Sequence, residues 1–263
     1  MIDYHMHSDF SADGKQTIDK ICKVAIERNL SEIAITDHLD IEYPYDDIVF
    51  DFDIKKRERA LERAREKYPQ IRICNGIEIG LTPSTLEGYE EYLKKNEFDF
   101  VIASTHIVNG VDPYYKEFFE GRTKKQAYEE YLINRLECLK KYDSYNVVGH
   151  LGYPSRFVKE KKRTLEYNDY VNIIDDLLKH IIYKGKGIEV NTKGIMSTGD
   201  ALPSKSIIRR YKELGGEIIT VGSDAHIPSR IGDEIENMIS VLKDIGFKYI
   251  STFKDRKPIQ KGI

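Results

Sequence analysis

Residues 72–80 read Arg72-Ile73-Cys74-Asn75-Gly76-Ile77-Glu78-Ile79-Gly80, a short β-branched run with a carboxylate near its end. The run predicts a strand over Arg72–Ile77 with Glu78 just past it. On either side lie amphipathic segments, 53–68 and 84–95, with apolar residues at helical spacing. The same alternation repeats along the chain. Further strands are predicted at Ile2–His5, Glu32–Thr36, Phe98–Ser104, Asn146–Gly149, Gly187–Asn191 and Glu217–Gly222, with an eighth candidate at Lys248–Thr252. Helices are predicted near 17–29, 123–142, 166–183, 203–214 and 233–245.

Local chemistry marks the helix ends. Ser84-Thr85-Leu86-Glu87 and Thr123-Lys124-Lys125-Gln126 match the capping box, and Thr17 and Asp233 are further N-cap candidates. Gly185 and Gly215-Gly216 fall where helices should stop. Strands alternating with helices imply a parallel sheet covered by helices. Seven or eight such units predict an α/β fold closed, or nearly closed, into a barrel, with an open doubly wound sheet as the alternative. The 263 residues suit a barrel of ordinary size. No internal repeat, low-complexity tract or flexible linker interrupts them, so one domain is expected over 1–263.

Composition excludes several classes. Hydrophobic residues make up 40% and charged residues 32%, enough for one large core under a charged surface. The formal net charge of −3, with no basic stripe, argues against a nucleic-acid-binding module. No stretch approaches the length of a membrane span, and the start, MIDYHMHSDF, has no signal-peptide pattern. Cys22, Cys74 and Cys138 form no metal or redox motif. They read as small buried residues in a reducing compartment. A cytoplasmic protein acting on a small molecule is expected; nothing in the sequence sets its oligomeric state.

The histidines carry the functional signal. Six of the seven, His5, His7, His38, His106, His150 and His226, fall at or just beyond the end of a predicted strand. His180 alone lies within a helix and reads as a helix-face residue. Carboxylates join the same places: Asp13 in the first loop, Asp37 before His38, Glu78, and Asp224 two before His226. In a parallel barrel all strand C-termini open on one face, so these side chains should meet in one pocket. Residues two apart on an extended chain point the same way, which pairs His5 with His7. Imidazole and carboxylate together suit Zn, Mn or Fe.

These pieces resemble the polymerase and histidinol phosphatase (PHP) family. DYHMHSDFSADG, ITDHLD, NGIEIG and VGSDAH carry the broad likeness. VVGHLGYPSRF and IEVNTKG match as well, and the segment around STHIVNGVDPYY, with the helix after it and the VVGHL strand, brings the likeness nearer to the histidinol-phosphate phosphatases of that family. The resemblance implies a distorted, TIM-like (β/α)7 barrel holding three divalent ions at the strand ends. It implies one ion on His5, His7, Glu78 and Asp224, a second bridged by Glu78 to His106 and His150, and a third on Asp13, His38 and His226. It also implies hydrolysis of a phosphomonoester, L-histidinol phosphate, in histidine biosynthesis. Clustered cations would neutralise the phosphoryl oxygens and supply hydroxide near neutral pH.

Arg156, six residues past His150, is the candidate phosphate clamp, because a guanidinium matches two phosphate oxygens at once. Lys193 is a second candidate, and Asn191 is placed to orient substrate or a metal ligand. Asp224 or His226 would deliver the proton to the leaving alkoxide. Asp112 and Tyr114, on the aromatic-rich loop 107–122, are candidates for receiving the cationic leaving group. Alternatives are a PHP phosphoesterase for nucleotides or other small esters, a catalytically silent metal-binding module, and an amidohydrolase. Competent side chains at every expected position argue against the silent module. The lack of a lysine placed as a carbamate bridge argues against the amidohydrolase.

Overall fold

The computed structural model describes all 263 residues. From the N-terminus the elements are β1 (Ile2–Asp3), α1 (Ile18–Glu27), β2 (Glu32–Ile35), β3 (His38–Leu39), α2 (Ile54–Lys67), β4 (Arg72–Gly80), α3 (Leu86–Lys95) and β5 (Phe100–Ser104). There follow α4 (Lys124–Lys141), β6 (Val147–Val148), α5 (Val171–Tyr183), β7 (Gly187–Asn191), α6 (Gly194–Thr198), α7 (Lys205–Glu213), β8 (Ile219–Gly222) and α8 (Ile235–Ile245). The chain closes with β9 (Tyr249–Lys254) and β10 (Lys257–Gly262).

The sheet runs β1-β2-β4-β5-β6-β7-β8, every pairing parallel. β3 pairs His38 with Glu78 on β4, in the register by which Ile35 of β2 meets Asn75, so it continues β2 after a break. The sheet therefore has seven strand positions. Backbone hydrogen bonds join its two edges: Tyr4 N–H to Val221 O (2.9 Å), Asp224 N–H to His5 O (2.8 Å) and His7 N–H to Ala225 O (2.9 Å). That seam makes the sheet a nearly closed barrel, as the strand–helix alternation predicts, and excludes the open doubly wound arrangement.

Side-chain direction divides the interior. On β7, Ile188 and Val190 join the apolar layer under the helices. Glu189 and Asn191, on the other side of the strand, face the barrel interior. The N-terminal end of the interior is apolar, filled by Tyr4, Ala34, Cys74, Phe100, Ile102, Val147 and Phe253. The upper end carries the histidines.

Several expectations need correction. The eighth strand is not a barrel strand. β9 pairs antiparallel with β10 as a hairpin, and it sends Phe253 against Tyr4 and Phe100 as a floor. A short amphipathic run has one pattern whichever partner it finds. The N-cap of α3 is Thr85, not Ser84, and makes no side-chain cap bond. α8 is preceded by Glu234 in a left-handed conformation rather than capped by Asp233. The box at Thr123 and Gln126 forms as read, and Thr17 caps α1 through Lys20 N–H. β3 and α6 were not expected; both are too short for periodicity to register.

Candidate active site

Every strand-end histidine comes to the same face of the barrel. His5 and His7 leave β1, His38 lies in β3, Glu78 sits inside β4, His106 follows β5, His150 follows β6, and Asp224 and His226 follow β8. Glu78 lies at the centre. Its Oε1 is 2.7 Å from His150 Nε2 and 3.3 Å from His106 Nε2, and its Oε2 is 3.0 Å from His5 Nε2 and 3.1 Å from His38 Nδ1. Asp224 Oδ1 lies 3.3 Å from His7 Nε2. Asp13, from the first loop, places Oδ2 at 2.8 Å from His226 Nε2 and 3.9 Å from His38 Nε2.

The outer nitrogens explain why the rings point inward. His7 Nδ1 meets Ser11 Oγ at 3.2 Å, His106 Nδ1 meets Asp40 Oδ1 at 2.8 Å, His226 Nδ1 meets the Asp224 carbonyl at 2.9 Å, and His5 Nδ1 meets Glu189 Oε1. With the rings neutral, Ser11, Asp40 and Glu189 can each accept a proton from Nδ1, which leaves Nε2 of His7, His106 and His5 as a lone pair aimed at the centre. Ser11 is held in turn by Asp37, whose carboxylate also takes the buried Arg57 at 2.6 Å.

This donor set fits divalent metal. Four groups, His5-His7-Asp224, His7-His38-His226, His38-Asp40-His106 and Glu78-His106-His150, each bring their ligand atoms within 4.8 Å of one another. His5 Nε2 and His7 Nε2 stand only 2.9 Å apart, close enough for both to bind one cation. Buried polar atoms of His38, Asp40, Asp13 and His150 have no hydrogen-bond partner among the protein atoms.

Charge in the cluster is strongly coupled. Burial opposes ionisation of Glu78, yet His5, His38, His106 and His150 hold its carboxyl well below the usual range. Burial likewise disfavours the charged ring of His5, but Glu189, Glu78 and Asp224 raise its pKa well above that of free imidazole. His7 moves the other way, through burial and the neighbouring rings of His226 and His38.

The cluster opens into a pocket of about 170 Å³ lined also by Arg156, Lys193, Tyr43, Phe50, Asp112 and Tyr153. Arg156 lies over the rings of Tyr153 and Phe157. Lys193 Nζ is 3.0 Å from both Asp224 Oδ1 and His226 Nδ1, and burial lowers its pKa. Asn191 Nδ2 donates to Glu189 and to Asp224, both at 3.3 Å. Asp112 accepts from Tyr43 Oη (2.8 Å), Tyr153 Oη (3.2 Å) and Tyr114 N–H (2.7 Å). The Tyr114 ring is exposed at the pocket rim. His180 is remote, bonded to the Leu139 carbonyl.

Sequence reasoning missed Asp40, Glu189 and the aromatic residues of 41–53. Two signals were present. Glu189 is a charge between the apolar Ile188 and Val190 in a strand of a parallel sheet, where both faces are covered. Asp40 is two residues past His38 and shares its side of the chain.

Fold and cluster together define a β/α-barrel protein with a multi-histidine centre suited to divalent metal. The chain belongs to the PHP domain family, whose model matches residues 3–193, as the resemblance implied. It is 32% identical over 249 residues to a probable histidinol-phosphatase of Clostridium acetobutylicum, covering 94% of this chain and 95% of that protein. It is 30% identical over 258 residues to the histidinol-phosphatase of Lactococcus lactis, covering 97% and 95%. Among solved structures, histidinol phosphate phosphatase from Lactococcus lactis, complexed with zinc, L-histidinol and phosphate, matches with a TM-score of 0.92 at 29% identity, covering 98% of each chain.

Proposed function

We propose that this chain is a metal-dependent phosphomonoesterase that hydrolyses L-histidinol phosphate to L-histidinol and phosphate, acting as one unit over 1–263 in the cytoplasm. The observation that carries the reading is the convergence of six imidazoles with Asp13, Glu78 and Asp224 at the head of a pocket that also presents Arg156, Asp112 and aromatic side chains. The likeness, over 98% of both chains, to a protein complexed with zinc, L-histidinol and phosphate supports the substrate. Three buried unpaired cysteines, and the absence of any helix long and apolar enough to cross a membrane, are in keeping with the compartment.

His5, His7, Asp224 and Glu78 would hold one divalent ion, Glu78, His106 and His150 a second, and Asp13, His38 and His226 a third, with Zn, Mn and Fe all suited to such ligands. Bound there, the ions supply positive charge for the phosphoryl oxygens and activate water near neutral pH.

The protein's side chains do the rest. Arg156, 3.9 Å from Asp224 at the head of the pocket, binds two phosphoryl oxygens, and Lys193 adds a second positive charge beside it. Asp224 or His226, whose Oδ1 and Nδ1 lie 3.3 Å apart, would deliver through water the proton taken by the leaving alkoxide. Asn191 orients Asp224. The amine and imidazole of the leaving alcohol are cations when protonated, and Asp112, Tyr43, Tyr114 and Tyr153 offer a carboxylate and ring faces to receive them.

The test is phosphate release from L-histidinol phosphate, p-nitrophenyl phosphate and AMP by one preparation loaded with Mn or Zn. We expect kcat/KM to favour L-histidinol phosphate by a wide margin. A preference for AMP would overturn the substrate, and activity untouched by strong chelators would overturn the metal mechanism.

A further inference from the structure

Glu189 is a carboxylate with no solvent exposure, at the middle of β7. It touches two parts of the cluster that lie far apart in the sequence. Oε1 accepts the Nδ1 proton of His5, at the end of β1. Oε2 accepts the backbone N–H of His150 at 2.7 Å, just past β6, and a bond from Asn191 at 3.3 Å. His150 has a positive φ of 20°, a conformation that residues with side chains avoid, and its N–H is fixed by this one bond.

The surroundings leave room for this carboxylate. A Cβ at Gly222 would stand 3.0 Å from Glu189 Oε1 and 2.3 Å from the Cβ of His5. At Gly149 a Cβ would meet Ser104 Oγ at 2.4 Å and Glu189 Oε2 at 3.6 Å. A larger residue at either site would push into the space that Glu189 and its neighbours occupy. A wholly buried carboxylate is costly unless its lone pairs are used, and these are.

We infer that Glu189 is a positioning residue: its carboxylate ties His5 to the backbone of His150 and so sets the geometry with which both rings meet divalent metal. The inference rests on the metal reading above. A carboxylate at Nδ1 fixes the ring's tautomer and makes Nε2 a better ligand. An amide cannot replace it. Its single oxygen can take the His5 Nδ1 proton or the His150 N–H, and the other donor is then left facing an NH2 group. A residue that merely filled the barrel would affect stability and leave metal binding alone.

The test compares wild type with Glu189→Gln, a near-isosteric change, after both proteins are stripped and reloaded. Zinc affinity is measured by competition with a chelator, the visible spectrum is recorded with cobalt in place of zinc, and thermal unfolding is followed without metal. We expect the metal-free variant to fold with a lowered unfolding temperature, because one buried donor loses its acceptor, and, once reloaded, to bind at least one zinc about ten- to a hundredfold more weakly with an altered cobalt spectrum. Wild-type zinc affinity and an unchanged spectrum in Glu189→Gln would overturn the inference and leave the functional reading standing. A wild-type protein that takes up no metal would overturn both. Should the variant fail to fold, nitrogen-15 NMR of histidine-labelled, zinc-loaded wild type decides: a hydrogen-bonded proton on His5 Nδ1 is expected, and a proton on Nε2 would refute the role.

Discussion

Arg156 and Asp224 face each other at the head of the pocket, Nη1 to Oδ2 at 3.9 Å, with the arginine lying over Tyr153 and Phe157. The guanidinium is thus held beside the cluster but outside it. Arg156→Ala is expected to lower kcat/KM for the best phosphomonoester about ten- to a hundredfold, the equivalent of roughly 1.5–3 kcal/mol for a charged hydrogen bond. Metal content should not change, because a guanidinium has no lone pair to offer. Steady-state kinetics with elemental analysis checks both, and wild-type kcat/KM would make Arg156 a bystander.

Glu78 reaches His150 and His106 with one oxygen and His5 and His38 with the other. Glu78→Gln is expected to lose at least one bound ion and nearly all activity. Elemental analysis of desalted protein beside a phosphate-release assay provides the check. A fully active variant with unchanged metal would refute a bridging role.

Asp112 gathers Tyr43, Tyr153 and the backbone of Tyr114, and burial raises its carboxyl pKa. An asparagine keeps one acceptor oxygen and cannot serve all three donors with the same strength. Asp112→Asn should therefore depress kcat/KM for L-histidinol phosphate more than for p-nitrophenyl phosphate. Equal losses on the two substrates would remove the loop from leaving-group recognition.

Away from the site, Asp175 on α5 receives Arg210 of α7 as a two-point fork, at 2.7 and 2.6 Å. The guanidinium holds the Asp175 carboxyl well below the usual carboxylate range. A depressed folded-state pKa adds stability that is fully present above the unfolded value, about 3.9, and is lost as pH falls through the folded value. Asp175→Asn should thus be less stable than wild type at pH 7, with the gap narrowing below about pH 4. Urea titrations at both pH values measure it, and a gap that does not narrow would sink the assignment.

How far the site can be read from sequence depends on where each residue's partners lie. His5, His7, His38, His106, His150 and His226 were legible because strand ends can be found locally and a parallel barrel gathers them on one face. Asp40, Glu189 and Arg57 were not. Each takes its meaning from a partner on another strand: His106 for Asp40, His5 for Glu189, Asp37 for Arg57. The hairpin Tyr249–Gly262 was misread for a similar reason, since nothing in 248–252 tells whether its neighbour will be parallel or antiparallel. In the loop 107–122, the aromatic content was visible, but not that Tyr115 would stack on Tyr45.

The seam between β1 and β8 has a consequence for how the molecule comes together. It is made by backbone bonds such as His7 N–H to Ala225 O. Those residues are about 220 positions apart, and closing a loop of that length costs about 5 kcal/mol of chain entropy before any contact repays it. Contacts so distant along the chain form late and slow the overall folding rate. His5 and His7 stand on one side of the join, Asp224 and His226 on the other. The groups His5-His7-Asp224 and His7-His38-His226 straddle it and are assembled only when the circle of strands is completed, so a half-folded chain lacks those two seats while Glu78, His106 and His150 already stand on neighbouring strands.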